Sequence, residues 1–438
     1  MPEQSTLPVS EGRRIESLDL LRGFALLGIL LLNIIGFGFI STAYSNPSEA
    51  IGSAVDLWVW ATVELFGEGA MRCLFSILFG AGVVLFTTGA SGKSGGLHYK
   101  RNFWLLVFGL VDGYLLLWNG DILLTYALAG FLLYPVRHTS AKRLMWVAGA
   151  LIALMSLMYG GMQFGMGMSR EAALAVEASH SVGSSDAAPS QETQALAKQW
   201  NDFSRGFNLE PAARAEELAQ RRHSYASAAD WNFSKNTEMI TFVVPLFLLW
   251  DALAMMLLGM ALYKYGVLQG DRPTQFYWRL MILGLGVGLA VNASEVHRAV
   301  SNDFALLSVF AQAQATYQIG RLGVALGYIG LLVLILHKGC LSSLRARLAA
   351  VGRMALTNYL MHSVICLFLF TGAGLALVGT LSRAEVYLVV FAIWAFQLLL
   401  SPWWLVRYKF GPVEWLWRGL TYGKFPEFRR NLTRSRTD

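Results

Sequence analysis

The chain has 438 residues, of which 55% are hydrophobic and only 14% charged, with a mean hydropathy of +0.47. Soluble domains carry about a quarter charged residues, so this deficit excludes an ordinary soluble domain and predicts an all-α polytopic membrane helix bundle. The formal net charge of +7 sits in the loops between apolar runs. That distribution excludes a nucleic-acid reading and makes membrane lipid headgroups the expected partners.

About ten spans are expected, near 18–40, 70–88, 102–118, 121–136, 143–162, 240–263, 277–297, 316–337, 355–379 and 384–406. Short loops on one side hold Arg13, Arg14, Lys93, Lys100, Arg101, Arg137, Lys142, Arg143, Lys264, Arg272, Arg279, Lys338, Arg345, Arg347 and Arg353. Those on the other side hold only Arg298 and Arg383. The positive-inside rule then makes both termini cytoplasmic. Four regions follow: a five-helix unit over 1–162, an extracytoplasmic insert over 163–239, a second five-helix unit over 240–406, and a basic cytoplasmic tail over 407–438.

The first span, "SLDLLRGFALLGILLLNI", carries Asp19, Arg22 and Asn33 inside an apolar stretch. At 100° per residue, Asn33 lies about 20° and Asp19 about 60° from Arg22, so the three share one face over about 21 Å. Burying an Arg in a bilayer costs about 3 kcal/mol on insertion scales unless a partner or polar cavity receives it. This face is expected to line something, although Asp19 and Arg22 at i, i+3 could also simply neutralise each other.

Residues 54–69 precede the second span and are interrupted; Trp58 and Trp60 suit an interfacial or re-entrant segment. Glu64, Glu68 and Arg72 follow at i, i+4 and i+8, with Gly67 and Gly69 as candidate breaks, and Arg72–Glu68 is a candidate ion pair. The Gly- and Lys-containing stretch around 89–96 lacks the strand–loop–helix context of a phosphate loop and reads as a turn. Asp112 lies in the third span and Asp121 in the tight hairpin that follows. The Met-rich stretch 155–168 reads as helix packing. In the insert, 179–190 reads as a flexible connector and 211–231 as an amphipathic surface helix beginning at Pro211.

Later spans carry Asp251, then Asn292, Glu295 and His297, then Gln314, Gln318 and Arg321 as a stripe, and finally Asn358 and His362 four residues apart. The amides Gln318 and Asn358 fit interhelical hydrogen bonding. Gly80, Gly82, Gly109, Gly113, Gly284, Gly286 and Gly288 are expected to let helices approach closely. The cysteines, odd in number and without ligand spacing, support neither a disulfide framework nor a metal site.

The segments "RRIESLDLLRGFALLGILLLNI", "MRCLFSILFGAGVVL", "WNGDILLTYALAGFLL", "GRMALTNYLMHSVI" and "FGPVEWLWRGLTYGK" resemble, in order, the motifs of the YeiB family of bacterial membrane proteins. That family's C-terminal half is a domain of unknown function. The first segment also resembles the opening helix of transmembrane acyltransferases, among them heparan-alpha-glucosaminide N-acetyltransferase and acyltransferase family three. In family three an Arg is followed eleven residues later by an essential His; Asn33 stands at that distance from Arg22 here, as in the glucosaminide enzyme.

The likeness implies a transmembrane acyltransferase of the bacterial inner membrane that moves an acyl group from cytoplasmic acyl-CoA, the donor, to an envelope glycan or lipid. Such chemistry needs a base, oxyanion donors and cations for the donor's phosphates. His297, Asp121, Asp112 and Asn33 are the candidate catalytic groups. Asp19, Arg22, Arg72, Arg321 and His362 are the candidate donor-binding groups, with no metal. The alternative is a transporter or exporter of a small polar or amphiphilic solute, against which the lack of a visible inverted repeat counts. A third reading is an envelope scaffold that recruits partners through the insert, and a homo-oligomer is left open.

Overall fold

A computed structural model describes residues 15–88, 94–182, 189–310 and 314–430. Among these the structure is helical, with a single isolated bridge between Tyr408 and Arg429. The leucine-rich first segment forms α1 (Glu16–Gly38), with Glu16 and Asp19 in the first turn, where acidic groups complement the helix dipole. Around it follow α2 (Ala54–Phe66), α3 (Ala70–Thr88), α4 (Gly95–Tyr114), α5 (Leu123–Leu133), α6 (Ala141–Val182), α7 (Gln191–Phe207), α8 (Pro211–His223), α9 (Tyr225–Glu238), α10 (Leu249–Lys264) and α11 (Thr274–Ser301). The chain closes with α12 (Leu306–Val309), α13 (Tyr317–His337), α14 (Ser342–Arg353), α15 (Ala355–Phe370), α16 (Arg383–Arg407) and α17 (Pro412–Tyr422).

Seven helical units among the described residues are long and apolar enough to cross a bilayer, and a bent pair makes an eighth. The difference from ten spans lies in particular segments. Helix α5 has 11 residues, about 16 Å at 1.5 Å per residue, and is too short to cross alone. Helix α15 stops at Phe370 rather than near 379, and with α14 it forms a pair bent by 81°. The expected span 102–118, on α4, is not among them either, and α2 joins α3 in one 35-residue apolar unit, Ala54–Thr88, without adding a span. The expected break between them is present: Gly69 has φ +64°, and a Cβ there would press on the Tyr317 hydroxyl and the Arg321 side chain.

The insert is helical and tied to the bundle. Helix α6 runs on past residue 162 to Val182, and α7 packs back along it. The amphipathic segment divides at Ser224, which caps α9. A π-helical stretch, Met239–Leu248, then carries α9 into α10, accommodating Pro245 where an α-helical hydrogen bond is lost. Arg221 on α8 donates to the carbonyls of Phe39 (2.6 Å), Phe37 (2.9 Å) and Gly36 (3.1 Å) at the C-terminal end of α1. Glu217 on the same helix accepts from the Ser41 backbone N–H and hydroxyl. A cation at the open carbonyls of a helix C-terminus is favourable both as a donor and against the dipole. The connector expected over 179–190, the turn over 89–96, and Arg13, Arg14 and Lys93 lie wholly or partly outside the described residues.

Glycines set the interhelical distances. A Cβ at Gly80 would collide with the Met256 carbonyl, and one at Gly259 with that of Ile77, so α3 and α10 touch backbone to backbone. Gly23 and Gly352 do the same for α1 and α14, and Gly284, Gly288, Gly320 and Gly323 for α11 and α13. Gly109 and Gly113 also have close neighbours, in Leu124 and Asn236, whereas Gly82 and Gly286 face open space. The α1–α14 contact brings Arg22 beside the α14–α15 bend, where a cavity opens.

Candidate functional site

Two cavities abut inside the bundle. The first, of about 220 Å³, is lined by Arg22 of α1, Arg101 and His98 of α4, Arg353 at the α14–α15 bend, and Glu414, Trp417 and Arg418 of α17. Four guanidiniums therefore surround one space. Arg22 pairs with Asp19 at 3.1 Å, and Arg101 stacks between Phe86 and Trp417 at 4.8 and 4.5 Å. Arg418 lies over Phe410 at 4.6 Å. The Glu414 carboxylate accepts from the backbone N–H groups of Leu356 (2.6 Å) and Thr357 (3.0 Å), capping the start of α15. Planar, permanently charged guanidiniums with stacked faces are suited to holding phosphates.

The second cavity, of about 390 Å³, lies toward the opposite end. Its polar walls are Asn33 of α1, Glu68, Arg72 of α3, Lys235 and Glu238 of α9, and Asp251 of α10. Tyr126 of α5 lines both cavities. Its phenol lies 2.6 Å from the Ser76 hydroxyl, with the rings of Phe75 and Phe79 beside it. Tyr126 is thus the partition between a basic chamber and one of mixed charge.

Behind the second cavity is a network of buried charge. Arg321 is 1% exposed and forms a two-pronged pair with Asp251, donating through NH1 to Oδ2 at 2.9 Å and through NH2 to Oδ1. Its Nε also donates to Gln318 at 3.0 Å. Arg72 Nε stands 3.9 Å from Asp251, and its NH2 donates to the Tyr317 hydroxyl at 3.0 Å. That hydroxyl donates onward to Glu68 at 3.1 Å, and Tyr44 also reaches Glu68 at 3.4 Å. Tyr317 therefore stands between Arg72 and Glu68, and Asp251 is the carboxylate that meets Arg72 as an ion pair. Each buried charge in this network has a partner, which bilayer burial demands.

The structure distributes the sequence candidates as follows. Asn33 and Arg72 line the second cavity and Arg22 the first, with Asp19 attached to Arg22. Arg321 is committed to Asp251 behind the wall. Asp112 is fully buried beside Asp121 and Ser363, and neither carboxylate lines either of these two cavities. Asp121 accepts from the N–H groups of Leu123 and Leu124 and from the Tyr359 hydroxyl, so it holds the start of α5. His297 is exposed on α11, near Ser301 at 3.5 Å, and is not brought to either cavity. His362 is buried between α15 and α16, 3.0 Å from Gln397, whose amide in turn donates to the Asn358 carbonyl.

Arg101, Arg353 and Arg418 escaped functional notice because a basic residue near a span end carries the same signature as a topology signal. Helix α17 did leave a trace: Glu414, Trp417 and Arg418 recur at i, i+3 and i+4 within a segment read as tail and as one of the five motif segments.

Fold and site define a polytopic helical membrane protein with abutting polar cavities inside its bundle. Residues 262–424 match the family described as Protein of unknown function (DUF418). The chain is 31% identical over 414 residues to the uncharacterized protein YeiB of Escherichia coli (strain K12), covering 92% of this chain and 95% of that protein. It is 30% identical over 432 residues to the uncharacterized protein YxaH of Bacillus subtilis (strain 168), covering 95% and 96% respectively. An uncharacterized 39.9 kDa protein of Bacillus acidopullulyticus is 28% identical over 435 residues, covering 96% and 97%. The chain belongs to the YeiB family. No solved structure matches it.

Proposed function

We propose that this protein is a membrane-embedded acyltransferase, taking an acyl group from an acyl-CoA at the basic end and passing it to an envelope glycan or lipid at the other. The supporting observation is that the four-arginine cavity and the mixed-charge cavity share Tyr126 as a wall. In this reading Arg22, Arg101, Arg353 and Arg418 hold the donor's phosphates in the inner membrane's cytoplasmic leaflet. The acyl thioester reaches the Tyr126–Ser76 hydroxyl pair, and those hydroxyls with the Asn33 amide supply donors for the developing oxyanion. Glu68, on the wall of the second cavity and oriented by Tyr317 and Tyr44, takes the acceptor's proton. His297, Asp112 and Asp121, which line neither of these two cavities, play no part in this scheme.

The test is thermal stability of the purified chain in detergent, titrated with acetyl-CoA, longer acyl-CoAs and free CoA. A stabilisation by CoA species that is lost in Arg101→Ala and Arg22→Ala, with both variants folded, is the expected result. The same cavities in series would also serve a transport path. If no CoA species shifts the folded wild type, the acyl-transfer reading fails, and uptake into proteoliposomes becomes the deciding assay for an exported solute.

A further inference from the structure

Next to the second cavity lies a smaller chamber of about 60 Å³, and the two share Tyr44, Ser45 and Glu68 as walls. The chamber gathers three carboxylates, Glu64, Glu68 and Glu295, from α2, the α2–α3 break and α11. The cations around them are engaged elsewhere. Arg72 is held by Asp251 and Tyr317, and Arg383 donates to the carbonyls of Ala50 and Pro47. Glu295 accepts from the Thr316 hydroxyl at 2.5 Å and feels Arg298 through space. Glu64 is acted on through space by Glu68 and Glu295, and less by Arg383.

A second feature of the chamber is independent of that charge. Gln314 lines it while only 3% exposed. Its amide N–H donates to the Ser308 carbonyl at 3.0 Å, which leaves Oε1 as a buried acceptor with no donor. An unsatisfied buried acceptor costs free energy that a bound donor would recover. A hydroxyl would satisfy Gln314 and leave the carboxylates uncompensated. A primary ammonium supplies three N–H donors and a positive charge in one small group.

We infer that this chamber binds the protonated primary amine of the acceptor, which on the acyl-transfer reading makes the product an amide. Glu64, Glu295 and Gln314 hold the ammonium, and Glu68, common to both cavities, removes one proton as the amine turns toward the thioester. The nitrogen forms a C–N bond to the acyl carbon and the C–S bond breaks. The second nitrogen proton leaves with the thiolate, so amine and thioester become amide and free thiol in equal amounts.

The experiment compares 4-amino-1-butanol with 1,4-butanediol as ligands of the purified full chain in detergent, read by thermal stabilisation, beside a parallel CoA titration. The amino alcohol stabilises the wild type and the diol does not. In Glu64→Gln, and more so with Glu295→Gln added, the amine's apparent affinity falls by about tenfold or more while the CoA response persists. Glu64→Gln alone leaves the Glu295–Thr316 bond intact and guards against misfolding of the double variant. Equal stabilisation by amine and diol, or an undiminished amine response in folded Glu64→Gln, overturns the inference and leaves acyl transfer standing. An amine response without any CoA response sinks the acyl-transfer reading and leaves an amine site that serves another activity.

Discussion

The Ser76 hydroxyl and the Tyr126 phenol meet at 2.6 Å on the boundary between the basic cavity and the mixed-charge cavity. Tyr126 comes from a helix too short to span and Ser76 from one that begins at a glycine break. Their contact is therefore a product of packing between α5 and α3 rather than of either helix alone. Tyr126→Phe removes the bond to the Ser76 hydroxyl and the longer one to the Arg72 carbonyl, and should cost about 1 kcal/mol. Tyr126→Ala also removes the ring and should cost about 3 kcal/mol or more. Thermal melts of the two variants in detergent check the ranking; a Tyr126→Ala protein as stable as Tyr126→Phe would show that the ring is not packed as described.

Asp251 and Arg321 form a fully buried pair, so removing one partner should harm the protein more than replacing both. Asp251→Leu or Arg321→Met alone leaves an uncompensated charge and should cost about 3–5 kcal/mol, whereas the double substitution recovers much of that loss. Expression level and melting temperature of the two singles and the double decide it. Additive losses would mean that the two side chains do not act as a unit.

Gly80 and Gly286 offer a matched contrast on apolar helices. Gly80→Val drives a side chain into the Met256 carbonyl and should abolish accumulation of folded protein. Gly286→Val meets open space and should be tolerated. Size-exclusion profiles of the two variants are the measurement, and equal behaviour would contradict the α3–α10 contact.

The insert also bears on the scaffold reading. Arg221→Ala leaves the Gly36, Phe37 and Phe39 carbonyls without this donor and Glu217 without its ion-pair partner. A loss of about 3 kcal/mol is expected, and deletion of 211–223 should destabilise the membrane bundle itself. If that deletion leaves the melting temperature unchanged, the insert is a detachable module after all.

Burial on α17 raises the Glu414 carboxyl above its usual value, against the lowering effect of its bonds to Thr357 and Leu356. A carboxyl whose folded value is raised holds its proton more tightly in the folded state. Stability from this group is therefore greatest below the unfolded value of 4.5 and declines as pH rises through the raised one. Glu414→Gln, which retains a carbonyl acceptor for the α15 start, should flatten that part of the stability–pH curve. A curve unaltered by the substitution would exclude Glu414 as its source.

Several features of this protein follow from the chain alone. Apolar runs and low charge make a helical membrane bundle unavoidable, because backbone groups in lipid must be bonded within their own segment. The 100° periodicity puts Asp19, Arg22 and Asn33 on one face, and the structure duly places Arg22 and Asn33 on the walls of successive cavities. Gly67 and Gly69 announced the break before α3.

Other features are decided only by tertiary contacts. Which charge meets which is not encoded in helical spacing: Arg72 sits one turn from Glu68 yet pairs with Asp251, which is distant in the chain. Partners for a buried ion are chosen by whichever helix the glycine contacts bring nearest. The same holds for the surroundings of His297 and His362: helical spacing does not tell that the first is exposed near Ser301 and the second buried against Gln397. Arg101, Arg353 and Arg418 look like loop charges until α17 folds beneath α4 and closes a chamber around them. Long-range packing sets these relationships, because a side chain's role depends on the surface opposite it.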